Sequence, residues 1–283
     1  MAELGKRNTL TVVKQVDFGL YLDGGELGEV LLPKRYVPCD VQVGDEIEVF
    51  LYLDSEDRPI ATTEQPLAMV GEAQLLKVVA VNRAGAFLDW GLPKDLLVPY
   101  AEQAEPMEEG KSYVVYLYLD HVKNRITASS RLHRHLGETS AWLKAGQKVA
   151  LLIASKTELG YKAVVDGHCI GLLFHGEVFR PLQPGDRVTG YVKAIRPDGK
   201  IDLTLQPLQQ APQQARDALS QRILDDLKQN NGVSTLTDKS PPEEIYAKFH
   251  VSKGNYKKAL GGLYKKRLIS IERDRITLNK GAG

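Results

Sequence analysis

The chain has 283 residues, of which 43% are hydrophobic, and its formal net charge is +1. This length suits about two domains of ordinary size, or three to four small ones. The two cysteines, Cys39 and Cys169, lack CxxC spacing, which argues against a disulfide framework and a structural zinc site. There is no signal-peptide core at the N-terminus, and no apolar run reaches the roughly 18 residues of a membrane span. We therefore expect a cytoplasmic protein with no membrane partner.

The charge is unevenly distributed along the chain. Residues 251–283 contain nine Lys or Arg and two acidic residues, which gives +7 and leaves −6 for the first 250 residues. A basic segment behind a mildly acidic body indicates a polyanionic partner, with nucleic acid as the first candidate.

One sequence pattern occurs three times. Gly19, Gly85 and Gly160 each open a short alternating segment. A further glycine lies 25 residues after each opener, and an isoleucine lies 16 residues beyond that glycine. These later positions are Gly44, Gly110 and Gly185, then Ile60, Ile126 and Ile201. The shared register indicates an internal triplication.

Each repeat is predicted to contain five short strands, because its segments alternate or are rich in β-branched residues. In the first repeat they are 10–16, 19–22, 28–32, 47–53 and 59–63. In the second they are 75–81, 85–88, 96–98, 113–119 and 125–129, and the third repeat covers 148–205. Five short strands in about 60 residues fit a small barrel that closes its own edges. Residues 131–146 are predicted to form a partly helical connector.

Beyond the third repeat the hydrophobic period changes from strand to helix. Residues 207–214 are rich in Gln and Pro and are interpreted as a linker. Three helices follow, the first ending near residue 230, the second at 242–249 and the third running from an N-cap at Ser252 to about residue 266. Strands 268–271 and 276–278 complete a winged helix-turn-helix pattern, with the third helix in the recognition position.

The predicted fold class is therefore mainly β, with three tandem five-stranded barrels and a C-terminal α+β winged helix-turn-helix domain. The predicted domains are residues 1–66, 67–135 and 146–206 for the barrels and 215–283 for the winged helix.

The triplicated unit resembles the RNA-binding OB fold named after ribosomal protein S-one. The matching segments are Gly85-Ala-Phe87, Gly171-Leu-Leu-Phe-His-Gly-Glu177, Gly44-Asp45, Gly185-Asp186 and Lys200-Ile-Asp-Leu-Thr204. Three such units followed by a winged helix resemble the conserved virulence factor B family of bacterial RNA-binding regulators. The resemblance covers essentially the whole chain and implies OB-fold barrels with single-stranded RNA as the partner.

Several RNA-contact positions of the family that this chain resembles carry a different residue in this chain. Its histidine after Gly-Leu-Val is replaced by Pro33, Pro99 and Phe174, and its strand-two aromatic becomes Lys162 in the third repeat. Because no single repeat keeps the full contact set, we expect weak binding by each barrel and affinity from linking several modules.

The resemblance also identifies candidate RNA-binding residues. Bases stack on flat aromatic rings and phosphates meet cations. In this fold Tyr21 and Phe87 lie on the strand that faces the ligand. The alternative is that these rings fill the barrels and that the nearby cations are only solvated. The complete predicted set is Phe18, Tyr21, Arg58, Phe87, Trp90, Tyr100, Arg125, Phe174, His175 and Lys200.

For several aromatic residues an interface between domains is the alternative to RNA contact. Trp90 and Tyr100 fit either role equally well. The residues on the outward side of strand four are predicted to pack between neighbouring barrels. They are Phe50, Tyr52, Tyr116, Tyr118 and Tyr191.

The winged helix carries its own candidate interface. Its cations would neutralise phosphates and make the affinity depend on salt. Asn255 is the one obvious residue for contact with base edges at the start of the third helix, so sequence-specific recognition of an operator is poorly supported. RNA and DNA both remain open as ligands of this domain. The predicted cations are Lys253, Lys257, Lys258, Lys265, Lys266, Arg267, Arg273 and Arg275.

No combination of a nucleophile, a base and an orienting group is recognisable, and no His spacing matches a metal site. We therefore predict a non-catalytic protein without a cofactor or metal. The favoured hypothesis is a single-stranded RNA-binding regulator that acts after transcription. Two alternatives remain open: a transcription regulator that binds DNA through the winged helix, and an accessory subunit of a ribosome or RNA-degrading complex.

Overall fold

The first repeat folds into a closed five-stranded barrel in the computed structural model, which describes residues 2–139, 141–178, 181–207, 212–272 and 274–279. The strands pair in the order β1-β2-β3-β5-β4, with β3 and β5 parallel and the other neighbours antiparallel. Their bounds are β1 (Arg7–Val16), β2 (Gly19–Asp23), β3 (Glu29–Pro33), β4 (Glu46–Leu53) and β5 (Pro59–Thr62).

The interior of this barrel is filled by alternate residues of its strands. Val12, Leu22, Leu32, Val49 and Leu51 are all buried in one hydrophobic cluster. Side chains at every second position of a strand point to the same face. The period-two pattern of the sequence therefore determines which face of each strand points into the core of the barrel.

The strands of the second repeat are neighbours in the order β10-β9-β6-β7-β8. This is the order of the first barrel when that closed barrel is written from its last strand, as β5-β4-β1-β2-β3. Its end strands β8 and β10 lie against each other but are not joined as hydrogen-bonded neighbours, unlike their counterparts in the first barrel. The strands are β6 (Ala73–Asn82), β7 (Gly85–Asp89), β8 (Leu96–Pro99), β9 (Ser112–Asp120) and β10 (Arg125–Ser129).

The third repeat is again a closed barrel, in the order β11-β12-β13-β15-β14. Its strands are β11 (Lys148–Lys156), β12 (Gly160–Val165), β13 (Cys169–Phe174), β14 (Arg187–Ile195) and β15 (Ile201–Thr204). The first strand of every repeat has a break in register at the equivalent position: Val12/Lys14, Val78/Ala80 and Ile153/Ser155. A bulge there bends a long strand so that it can pair on both sides of the barrel. The triplication therefore extends to backbone geometry.

The opening glycines of the repeats have a steric reason. A Cβ added to Gly19 would overlap the backbone carbonyl oxygen of Leu32. The same overlap would occur between Gly85 and Val98, and between Gly160 and Leu173. Only glycine allows the second and third strands to approach this closely at that point.

The C-terminal residues form a winged helix-turn-helix domain. Three helices pack on a small sheet of order β16-β18-β17, and their apolar side chains share one core. The elements are α1 (Pro212–Gln229), β16 (Val233–Ser234), α2 (Pro242–Phe249), α3 (Lys253–Lys265), β17 (Ile269–Ile271) and β18 (Ile276–Leu278). The predicted fold class is confirmed. The two-residue strand β16 was not predicted, because so short a segment has no period.

Two sequence predictions need comment. The connector is a short 3-10 turn at Leu132–Arg134 with bends around it, and its described residues contain no α-helix. Part of the predicted linker, residues 208–211, lies outside the described residues, and α1 already begins at Pro212. Proline is well tolerated there because a backbone N–H in the first turn of a helix has no carbonyl partner within the helix, so the N–H that proline lacks is not missed.

The chain divides into two compact units. The first contains β1 to β10, and the second contains the winged helix and the third barrel apart from residues 167–169. Among the described residues, no helix is both long and apolar enough to cross a membrane.

Candidate nucleic-acid interface

The first barrel presents a cluster of rings and cations on the face of β2. Tyr21 is half-buried, and Phe18 is 57% exposed and meets it edge to face at a centroid distance of 6.4 Å. Lys14 Nζ lies 5.7 Å from the centre of the Tyr21 ring. Together with Arg58, the two rings line a cleft of about 360 Å³. The cleft offers an aromatic surface for a base beside Arg58, and the acidic residues Glu29 and Asp54 also line it.

Arg58 is held by acidic residues of its own hairpin. Its guanidinium pairs with Asp54 at 2.8 Å and with Glu56 at 2.9 Å. Burial raises the pKa of Asp54, but the hydrogen bonds from Arg58 outweigh burial and lower that pKa overall. The predicted cation is therefore not a free charge. Exposed pairs of this kind contribute about 0–1 kcal/mol, so a phosphate could compete for the arginine.

The second barrel has a smaller cleft at the equivalent face. Phe87 on β7 is half-buried and lines a space of about 210 Å³ with Lys94 and Arg125. Asp57 belongs to the β4–β5 turn of the first barrel and lines the same space. The side chains predicted to bind RNA are thus brought together, and an acidic residue from the other barrel lies among them.

Trp90 is almost wholly buried, although it borders the cleft that Phe87 and Arg125 line. It is only 3% exposed and meets Phe50 edge to face at 5.7 Å. Its indole Nε1 donates a hydrogen bond to the Lys94 carbonyl oxygen at 2.7 Å. Phe50 and Tyr52 are buried in the hydrophobic cluster of the second barrel. Trp90 therefore packs between the two barrels, and its contact with RNA stays a prediction.

The other outward aromatics of strand four have a different neighbour. Tyr116 and Tyr118 both stack on His135 of the connector, at centroid distances of 5.4 and 4.3 Å. Tyr100, by contrast, is exposed, and its hydroxyl donates a hydrogen bond to the Asn82 carbonyl oxygen at 2.7 Å. That bond fixes the ring while leaving its face accessible.

The third barrel has its aromatic residues at a different strand. Exposed Lys162 occupies the β12 position of Tyr21 and Phe87, whereas half-buried Phe174 ends β13 with Arg196 5.5 Å above its ring. The neighbouring His175 is exposed, and its Nε2 lies 3.1 Å from the Thr157 carbonyl oxygen. Lys200 is exposed and loosely paired with Asp198 at 3.6 Å. A ring beside a cation is therefore retained, although its position has moved.

The winged helix presents an exposed basic surface around α3. Ser252 caps the helix by accepting a hydrogen bond from the Asn255 N–H at 3.1 Å. The Asn255 side chain is exposed at the helix start. Lys253 is partly buried and donates to the Lys239 carbonyl oxygen. Arg273 lies outside the described residues. The exposed cations are Lys257, Lys258, Lys265, Lys266, Arg267 and Arg275.

Acidic partners are more frequent on this surface than the sequence suggested. Lys257 lies 3.8 Å from Asp238, and Arg275 pairs with Glu272 at 2.7 Å. Because these pairs are largely exposed, they reduce the local charge without burying it.

Sequence reasoning missed four residues of the candidate interface. Lys14, Lys94 and Arg196 come from strands or loops whose position beside the rings depends on the folded barrel. Tyr264 could have been found, because it directly precedes Lys265-Lys266-Arg267 and is 57% exposed. No group of three or more His, Cys, Asp or Glu suited to a metal ion occurs in the part of the chain that the structure describes.

Comparison with known families agrees with this architecture. The S1 domain family matches residues 4–64 and 70–130, and the CvfB-like winged helix domain matches residues 221–278. The fold and the matched domains define a nucleic-acid-binding class of protein, built from OB-fold barrels followed by a winged helix.

Relatives extend the similarity to the whole chain. The uncharacterized protein YitL of Bacillus subtilis is 32% identical over 277 residues, covering 92% of this chain and 89% of that protein. Conserved virulence factor B of Staphylococcus aureus is 28% identical over 258 residues, covering 85% and 82%. The chain belongs to the conserved virulence factor B family. A Streptococcus pneumoniae multidomain protein with nucleic acid binding domains aligns over 98% of both chains, with 24% identity and a TM-score of 0.42.

Proposed function

We propose that the protein binds single-stranded RNA without catalysis and acts after transcription as a regulator of gene expression in the cytoplasm. The observation that carries this proposal is the recurrence of an aromatic ring beside a cation in all three barrels. The pairs are Tyr21 with Lys14, Phe87 with Arg125 in one cleft, and Phe174 with Arg196. Single-stranded nucleic acid is bound through such rings and cations because its bases are free to stack.

The barrels and the winged helix have different proposed parts in RNA binding. The proposed barrels are residues 1–66, 67–135 and 146–206, and the proposed winged helix is 215–283. Each barrel offers few contacts, so affinity comes from engaging several of them with one strand. The basic surface of α3 adds phosphate contacts that do not depend on sequence. A partner in the ribosome or the RNA-processing machinery is compatible with this arrangement.

Duplex DNA is the second candidate ligand, and one observation favours it. In winged-helix proteins the recognition helix enters the major groove with its N-terminal residues at the base edges. Asn255 is exposed at that end of α3 and is flanked by Lys253 and Lys257. An asparagine in this position can contact adenine.

The deciding experiment is a salt titration of binding to a single-stranded RNA and to a duplex DNA of equal length. We expect tighter binding to RNA at every salt concentration and recovery of intact RNA after incubation. A clear preference for the duplex would reject the proposal in favour of the DNA-binding alternative. Cleavage of the RNA would reject the non-catalytic part.

A further inference from the structure

The β4–β5 turn of the first barrel reaches into the candidate interface of the second. Asp57 Oδ1 lies 2.8 Å from Lys94 Nζ, and its other carboxylate oxygen pairs with Arg125 Nη2. Lys94 Nζ also donates to the Asp54 carbonyl oxygen. Two cations of one barrel therefore converge on one carboxylate of its neighbour. Hydrogen bonds from Lys94 and then Arg125 lower the pKa of Asp57, which keeps it charged.

This arrangement differs from that in the other two barrels. Lys200, the counterpart of Arg125 in the third barrel, pairs with an acidic residue of its own β-hairpin. In the first barrel Arg58, one position earlier in the shared register, does the same. Arg125 instead pairs with Asp57, which comes from another barrel. The carboxylate lies in the cleft that Phe87 lines, beside the ring on which a base would stack. An anion thus already occupies the place where a phosphate next to that base is expected.

We propose that Lys94 and Arg125 form a phosphate-binding site for nucleic acid, and that Asp57 occupies it as a built-in competitor. The inference rests on the proposed function and adds Lys94 and Asp57 to it. A strand that stacks a base on Phe87 displaces the Asp57 carboxylate and gives both cations a backbone phosphate. Displacement is feasible because the Asp57 side chain is 45% exposed and lies in a surface turn.

The competing explanation is that the three residues only clasp the barrels together. The two explanations predict different directions for the change in binding affinity when Asp57 or Lys94 is replaced. If Asp57 competes with phosphate, its removal strengthens binding while removal of Lys94 weakens it. If the residues form only a clasp, the two changes act alike, because each breaks the same contact.

The main variant is Asp57→Asn, with Asp57→Ala as a second. Asp57 has a φ of 60°, in the left-handed region that asparagine tolerates better than most residues, so the backbone of the turn is retained. The opposing variants are Lys94→Gln and Arg125→Gln. The matched control is Glu108→Gln, which also removes one acidic partner of an exposed lysine, Lys111, in the second barrel.

Binding of the full chain to a uridine-rich single-stranded RNA is measured against salt for each variant. We expect Asp57→Asn to bind about three- to tenfold tighter at low salt, as for loss of an exposed competing charge. Lys94→Gln should bind more weakly, with a slope of log affinity against log salt shallower by about 0.7 per lost contact. The gain from Asp57→Asn should vanish when it is combined with Lys94→Gln, and Glu108→Gln should resemble the wild type.

Equal or weaker binding by both Asp57 variants would overturn the proposal, as would a Lys94→Gln variant with wild-type affinity and slope. Heparin serves as a second polyanion that separates this inference from the proposed function. If the wild type fails to bind RNA but the variants shift heparin binding in the expected directions, the anion site stands and the RNA function falls. If neither RNA nor heparin binding shifts, the site itself is rejected.

Discussion

The indole of Trp90 meets the ring of Phe50 edge to face, with centroids 5.7 Å apart and an interplanar angle of 75°. Phe50 belongs to the first barrel and Trp90 to the second, and both are buried in one cluster. This contact places a side chain of the first barrel in the hydrophobic core of the second. Aromatic pairs in this geometry stabilise beyond the area that they bury.

The first prediction concerns the stability of the two-barrel unit. Trp90→Ala should lower its free energy of unfolding by about 3–5 kcal/mol, because it leaves a cavity and removes the edge-to-face contact. Denaturant unfolding followed by circular dichroism measures the loss. Val122→Ala, at a 95% exposed side chain of the second barrel, is the control and should cost much less. Equal losses in both variants would contradict the importance assigned to the contact between Phe50 and Trp90.

The second prediction concerns the opening glycine of the second repeat. Gly85→Ala should cost about 2 kcal/mol or more, because its Cβ would overlap the Val98 carbonyl oxygen and force β7 and β8 apart. Gly176→Ala is the matched control, since a Cβ there meets no atom within 4 Å. The thermal unfolding midpoint of each variant reports the difference. A Gly85→Ala protein as stable as the control would show that the close approach is not required.

Most of the fold was predictable because it depends on local hydrophobic periods that occur three times in the chain. Alternation identified the strands of every barrel, and the register of Gly19, Gly85 and Gly160 identified the repeat. The N-cap at Ser252 was confirmed because capping is a local hydrogen bond. Strand β16 could not be predicted, since its pairing with β18 is decided by the tertiary structure.

The candidate site was less predictable, because its charges are set by neighbours distant in sequence. Arg125 looked like a free cation, but its partner Asp57 lies 68 positions earlier. Trp90 looked available for stacking, yet its environment is made by Phe50 of another barrel. The sequence identifies which residue types are present, whereas burial and pairing across domains decide which of them a ligand can reach.

The third prediction tests the aromatic surface of the barrels. Tyr21→Ala and Phe87→Ala should each weaken binding of single-stranded RNA by about 1–3 kcal/mol, the value of one stacked base. Fluorescence anisotropy with a labelled RNA measures the change. Phe87→Tyr keeps the flat ring and should bind as the wild type does. If both alanine variants retain wild-type affinity, the two rings serve the barrel core and the stacking role is wrong.

The last prediction separates the two ligands proposed for the winged helix. Lys257→Gln combined with Lys258→Gln removes two exposed charges from α3 without touching its buried face. If each lysine contacts a phosphate in the wild type, the negative slope of log affinity against log salt should become shallower in the variant. The change should be about 0.7 per lost contact on RNA or about 0.9 on duplex DNA. Lys123→Gln, in an exposed turn of the second barrel, is the control and should leave the slope unchanged.

Asn255→Ala completes this test, because a side chain that reads base edges acts differently from one that meets phosphate. Loss of a base contact should weaken binding to one sequence more than to others, with no change in salt slope. We expect Asn255→Ala to lower RNA affinity little and evenly across sequences, since the proposed role of α3 is to hold the backbone. A loss of about 1–3 kcal/mol confined to one duplex sequence would instead assign α3 to DNA recognition.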